Sequence, residues 1–267
     1  MQNYFDLQQQ IVRLFVDKSI MFEHTDLDVA KKMLRDHNYR NWVSASKVKF
    51  AEPVGSKWIL YKTAMFQEWK DYFEMDCRVS KHLMGNLVDF ERTINSRISH
   101  HISELMVGEE LSNFERNAIV QIISQTRNRK EVKFSDYTGE QSWRYIHKMT
   151  FGEMKILLFW LCDNIQDVYK EIVKEYTFLT DTKISKVRIN EINRLRNSLF
   201  HFRPLNVYLV HGNGIRKGQK FNNKTRKAVV QFIFSFNRDK AIEKEIKEII
   251  FYTNNYVKIK NSRLLID

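Results

Sequence analysis

From Leu83 to Leu105, apolar residues return every three or four positions: Leu83, Leu87, Phe90, Ile94, Ile98, Ile102 and Leu105. A strand alternates faces with period two, whereas a helix brings positions three and four apart onto one stripe. The run therefore predicts one long helix that ends before Gly108 and buries this stripe against other helices. Asp89, Glu91, Arg92 and Arg97 share the segment as its polar residues. His100 and His101 are adjacent, so their side chains point about 100° apart and cannot act as an i, i+4 metal pair. They read as surface or interface residues.

The rest of the chain supports an all-α fold. Only 2 prolines and 8 glycines occur, against 13% aromatic and 43% apolar residues, so regular structure dominates and a sizeable core can be buried. Leu7, Ile11, Leu14 and Phe15 keep helical spacing, and Thr25 or Asp26 starts a second helix carrying Leu27, Ala30, Met33 and Leu34. Residues 38 to 60 combine a proline, a glycine and several serines, which predicts a loop or irregular joint. That joint would divide an N-terminal helical subdomain, 1–60, from a larger helical domain, 61–267. TFGE at 150 to 153 has the form of a capping box ahead of the apolar run ILLFWLC, predicting a buried helix. Ile184, Val187, Ile189, Ile192, Leu195 and Leu199 predict another, stopped near Phe202 by Pro204. KAIEKEIKEII returns to a helical pattern near the end.

Composition also narrows the functional classes. Cys77 and Cys162 are too few for a disulfide framework and lack metal-ligand spacing, and Cys162 lies inside an apolar run as a core residue would. The longest apolar run is far short of a bilayer span, and the first residues lack a basic stretch followed by an apolar block. A cytoplasmic protein with no membrane partner is the expectation. Gly212, Gly214 and Gly218 match neither nucleotide-loop fingerprint, and no Ser/His/Asp order or paired-acid frame is present. Charge is more informative: 44 Lys and Arg against 32 Asp and Glu leave a net +12, which suits a polyanion. Arg216, Lys217, Lys220, Lys224, Arg226 and Lys227 crowd one polar tract and are expected to meet a phosphate backbone without reading sequence.

RLRNSLFHFRPLN, residues 194 to 206, carries the sharpest constellation. Of four Arg-Asn dipeptides, at 40, 116, 127 and 196, only Arg196-Asn197 is followed by histidine after three residues. Chance supplies about 0.1 such matches in a chain of this composition. Metal-free RNA cleavage needs a group that moves protons for the 2′-hydroxyl or the leaving oxygen, and a fixed cation where charge gathers on phosphorus oxygens. Histidine titrates near neutrality, and guanidinium offers a permanent charge with a fork of donors. On a regular helix, Arg196 and His201 lie about 140° apart around the axis, so one rigid helix does not focus both on one phosphate. A second copy packed across a two-fold axis would bring two arginines and two histidines into one cleft, which makes a homodimer part of the mechanism.

LRNSLFHFRPLN resembles the Arg-Asn-x-x-x-His signature of HEPN ribonucleases as it is written in Abi-like abortive-infection proteins of the AbiD and AbiF kind. HNYRNW (37 to 42), LVDFERTINSRI (87 to 98) and TFGEM (150 to 154) fit the same pattern in order and span most of the chain. The resemblance implies a HEPN-type helical bundle with an N-terminal helical extension. It also implies a composite ribonuclease site formed by a homodimer, and an anti-phage role as a toxin whose RNA cleavage arrests the infected cell. Some relatives of this kind are associated with a structured noncoding RNA, a second expected RNA partner. The expected catalytic residues are His201 as general acid/base, Arg196 as the phosphate and transition-state cation, and Asn197 as an orienter. Arg194 and Arg203 flank them as RNA-backbone contacts, and neither cofactor nor metal is expected. The alternative is a noncatalytic RNA-binding protein that scaffolds the noncoding RNA. A DNA-binding regulator is a weaker third reading, since the N-terminal helices lack a clear glycine turn.

Overall fold

The computed structural model describes residues 6–37, 39–54, 58–108, 111–126, 146–147, 149–211, 223–237 and 239–263. Among these, eleven α-helices hold most of the chain and four short strands very little, so the fold is all-α. No described helix is long and apolar enough to cross a membrane. The chain forms two compact units. One comprises Met1–Met84, Leu195–Arg226 and Asn237–Asp267; the other comprises Gly85–Arg194 and Lys227–Phe236. Neither unit ends at residue 60.

In the first unit, α1 (Leu7–Lys18) starts with a capping box. The Gln9 amide donates to the Asp6 carboxylate at 2.8 Å, and the Asp6 amide donates to the Gln9 side chain at 3.1 Å. Ile11 and Leu14 are buried as the spacing predicts, but Phe15 is half exposed. Helix α2 (Asp26–His37) buries Ala30, Met33 and Leu34. The expected irregular joint is instead a third helix, α3 (Tyr39–Phe50), followed by a hairpin of β2 (Ala51–Val54) and β3 (Trp58–Tyr61). In the hairpin Pro53 pairs with Ile59. Two further short strands, β1 (Ile20–Met21) and β4 (Ala64–Met65), pair in parallel.

The reason for α3 lies in packing. Trp42, Val43, Ala45, Ser46, Val48 and Phe50 are all buried, so the helix is enclosed on more than one face. Trp42 meets Phe66 edge-on at 5.6 Å, Phe50 stacks on Trp69 at 4.9 Å, and the Ser46 hydroxyl donates to the Trp69 carbonyl at 3.2 Å. Phe66 and Trp69 belong to the first turns of α4 (Phe66–Val107), a helix of 42 residues. Its early part also carries Tyr72, edge-on at 5.7 Å to Tyr252 of the last helix, α11 (Lys240–Arg263).

The second unit contains the remainder of α4. Leu87, Phe90, Ile94, Ile98 and Ile102 are at most 1% exposed, so the predicted stripe is a core stripe. Full burial of such a side chain is worth roughly 1.5–3 kcal/mol. Phe90 anchors an aromatic cluster, 4.8 Å from Tyr176 and 5.2 Å from Phe236, both edge-on. Helices α5 (Asn113–Thr126), α6 (Phe151–Asn164) and α7 (Gln166–Val173) follow, then a 3-10 turn at Thr177–Leu179. Helix α6 opens with the predicted capping box: the Glu153 amide donates to Thr150 Oγ1 at 3.4 Å, and the Thr150 amide to Glu153 Oε2 at 2.7 Å. Leu157, Leu158, Leu161 and Cys162 are buried, whereas Ile156 is 46% exposed. Helix α8 (Thr182–Phe200) and helix α10 (Asn223–Phe236) each contribute residues to both units.

Candidate functional site

Helix α8 ends in a way that determines where His201 and its neighbours stand. The His201 amide donates to the Asn197 carbonyl at 3.2 Å, Phe202 to Leu199 at 2.9 Å, and Arg203 to Ser198 at 3.1 Å. The last two bonds close a Schellman motif, which requires left-handed backbone at the first residue past the helix cap. That residue is Phe202, with φ 54°, where glycine is the usual occupant. Pro204 then prevents continuation, as the sequence predicts, and α9 (Leu205–His211) begins.

Asp76 of α4 holds the start of α9. Its carboxylate accepts from the Leu205 amide at 2.7 Å, the Asn206 amide at 3.0 Å and the Ser80 hydroxyl at 3.2 Å. The Asn206 side chain in turn donates to the Ala45 carbonyl of α3. Asp76 is fully buried, and loss of hydration raises its pKa to about 6 against the opposing pull of the three donors. The segment from His201 to Asn206 is thus tied at one end by the helix-closing bonds and at the other by a buried carboxylate.

Within this frame, Leu195 and Leu199 face the core and His201 is exposed. Arg196 is half-buried. Its guanidinium lies 4.3 Å from the centre of the Phe200 ring, one turn on, and its Nη1 donates to Asn197 Oδ1 at 3.3 Å. The two contacts restrict a long side chain and leave a flat cation at the helix surface. Arg203 is exposed.

The other expected RNA contacts divide. Arg194 lies in the second unit, where its Nη1 pairs at 2.7 Å with the nearly buried Glu191. Nearby, burial first and the Arg194 charge second lower the pKa of Lys155, whose ammonium donates to Asn190 Oδ1 at 3.0 Å. Arg226 corrects the expectation of a phosphate contact. It is 7% exposed, its Nε donates to the Leu209 carbonyl at 2.8 Å, and burial lowers its pKa. It anchors α9 rather than facing solvent. Lys227 is exposed on α10, and Lys224 falls on the first turn of the same helix. Arg216, Lys217 and Lys220, with the glycines at 212, 214 and 218, lie outside the described residues. His100 and His101 both approach the Glu104 carboxylate, at 3.1 and 3.2 Å.

Sequence reasoning overlooked Asp76, although a signal for it exists. It stands seven residues before Leu83 and eleven before Leu87, in register with the apolar stripe, where a carboxylate must find partners to be buried.

Comparison of the chain with protein-family models, curated proteins and solved structures finds no match in any of the three.

Proposed function

We propose that the protein is a metal-independent endoribonuclease of the HEPN type, acting as an abortive-infection toxin. In this reading two copies combine Arg196, Asn197 and His201 in one RNA-cleaving cleft. The observation that carries the reading is the end of α8, where an exposed His201 follows an arginine stacked on Phe200 and bonded to Asn197. His201 takes the proton from the attacking 2′-hydroxyl or returns one to the leaving 5′-oxygen. Arg196 neutralises charge on the non-bridging oxygens, and Asn197 sets its direction. The net +12 of the chain favours a polyanionic substrate and is equally suited to a bound noncoding RNA in the cytoplasm.

Purified protein and its His201→Ala and Arg196→Ala variants, assayed on RNA and expressed in growing cells, test this. Wild type is expected to cut RNA and arrest growth, and both variants to do neither while keeping the same helical circular dichroism. Cutting and arrest by His201→Ala would refute the assignment. Equilibrium sedimentation supplies the dimer test: a strictly monomeric active enzyme contradicts the shared cleft. The same charge balance supports a second reading, a noncatalytic scaffold for a noncoding RNA. One abundant copurifying RNA together with no cleavage by wild type would favour it.

A further inference from the structure

Beside the end of α8, within the first unit, lies a cavity of about 740 Å³. Its volume is within the range of sites that enclose small organic ligands. Phe73, Met84, Leu199 and Pro204 supply apolar lining, while Arg35, Lys81 and Arg203 bring three exposed cations to it. Two carboxylates also line it. Asp76 is engaged with the Leu205 and Asn206 amides and the Ser80 hydroxyl, and Asp36 is exposed to water.

Phe202 also lines this cavity, and three properties make it unusual. It is 79% exposed, it holds a left-handed backbone that a bulky side chain rarely adopts, and it directly follows His201. Neither burial nor backbone preference accounts for a phenyl ring there. An aromatic surface beside cations is the arrangement that holds single-stranded nucleic acid, with bases stacking on rings and phosphates meeting the charges. Consecutive residues, His201, Phe202 and Arg203, connect the proposed proton-transfer group to the cavity wall.

We propose that this cavity is a nucleotide subsite that takes one base of the bound RNA strand against Phe202 and the apolar wall, with Arg203 and Lys81 at the adjoining phosphates. The assignment rests on the reading of His201 as the group at the scissile phosphate. It makes the cavity the place where the nucleotide next to the cut is held, and hence where any base preference of the enzyme is decided.

The test uses the full chain with His201→Ala, so that RNA stays intact, and measures binding of a fluorescent tetraribonucleotide by anisotropy. Phe202→Gly removes the ring and suits the left-handed backbone, so the helix end is preserved. It is expected to weaken binding by about tenfold, the loss of one stacked base. Lys81→Ala is expected to weaken binding and to flatten its salt dependence. In the parent, a nucleoside monophosphate should compete weakly, and in Phe202→Gly not at all. Unchanged affinity in both variants overturns the subsite. So does a mononucleotide that binds as tightly as the tetranucleotide, which would make the occupant a free effector rather than a strand. Cleavage is measured in parallel with His201 restored. Loss of binding in Phe202→Gly with no cleavage by any protein supports the subsite and defeats the nuclease reading, whereas wild-type cleavage with unchanged binding does the reverse.

Discussion

Asp76→Asn isolates the buried carboxylate that positions the chain after His201. The wild-type group has its pKa raised from 3.8 to about 6 by burial. Such a shift is worth about 3 kcal/mol between its protonated and ionised forms. Between those two values the folded protein binds a proton that the unfolded chain releases, so stability falls as pH rises through about 6. The contribution is complete below the ordinary carboxylate range and gone above neutrality. Asparagine does not titrate. It also turns an amino group toward the Leu205 or Asn206 amide, a cost of about 1–3 kcal/mol that does not depend on pH. The difference in unfolding free energy between wild type and Asp76→Asn therefore changes with pH only through this one group. Urea unfolding followed by circular dichroism at pH 7.5 and pH 4.5 should show wild type gaining about 2 kcal/mol on the variant at the lower pH. A flat difference, or a gain by the variant on acidification, would mean that Asp76 is an ordinary stabilised carboxylate and that the account of the helix end is wrong.

Other expectations follow from the same geometry. Phe202→Gly should raise stability by about 1 kcal/mol, because the φ of 54° is cheap for glycine; chemical denaturation measures it, and a loss of that size would show that the ring is a packing element. Thr150→Ala removes the hydroxyl that caps α6 and should cost about 1 kcal/mol in the same assay. Arg196→Lys keeps the charge but loses the planar stack on Phe200 and the forked donors, so RNA cleavage should fall by about tenfold or more with stability changed by less than about 1 kcal/mol.

Much of the architecture could be read from periodicity, because the relevant forces are local or repeat along one element. The stripe from Leu87 to Ile102 is core, the Thr150–Glu153 box opens a helix, and α8 stops just before Pro204. Helix α3 escaped because it is buried on several sides, which removes the polar contrast that marks an amphipathic helix; its serine at 46 looks like a loop residue until the Trp69 carbonyl is opposite it. Pro53 likewise signals a break, yet it sits in a short hairpin strand. Charge runs mislead for a related reason. Arg226 belongs to a basic tract in the sequence, but its partner is a carbonyl 17 residues earlier in the chain. At the candidate site, the Arg-Asn-x-x-x-His pattern is legible because its residues are neighbours on one helix end, of which the structure joins the side chains of Arg196 and Asn197, whereas Asp76 lies 129 positions from the amide it holds. The two compact units are each built from separated stretches, a kind of organisation that neighbouring residues do not record.

The most direct test of the ribonuclease assignment is the chemistry of the cut ends. End-labelled RNA is incubated with wild type and His201→Ala in excess chelator, and the products are resolved by their terminal groups. Attack by the 2′-hydroxyl through His201 and Arg196 predicts 2′,3′-cyclic phosphate and 5′-hydroxyl ends from wild type, and uncut RNA with the variant. Products that appear only with added divalent metal and carry 3′-hydroxyl ends, or equal cutting by His201→Ala, would contradict it.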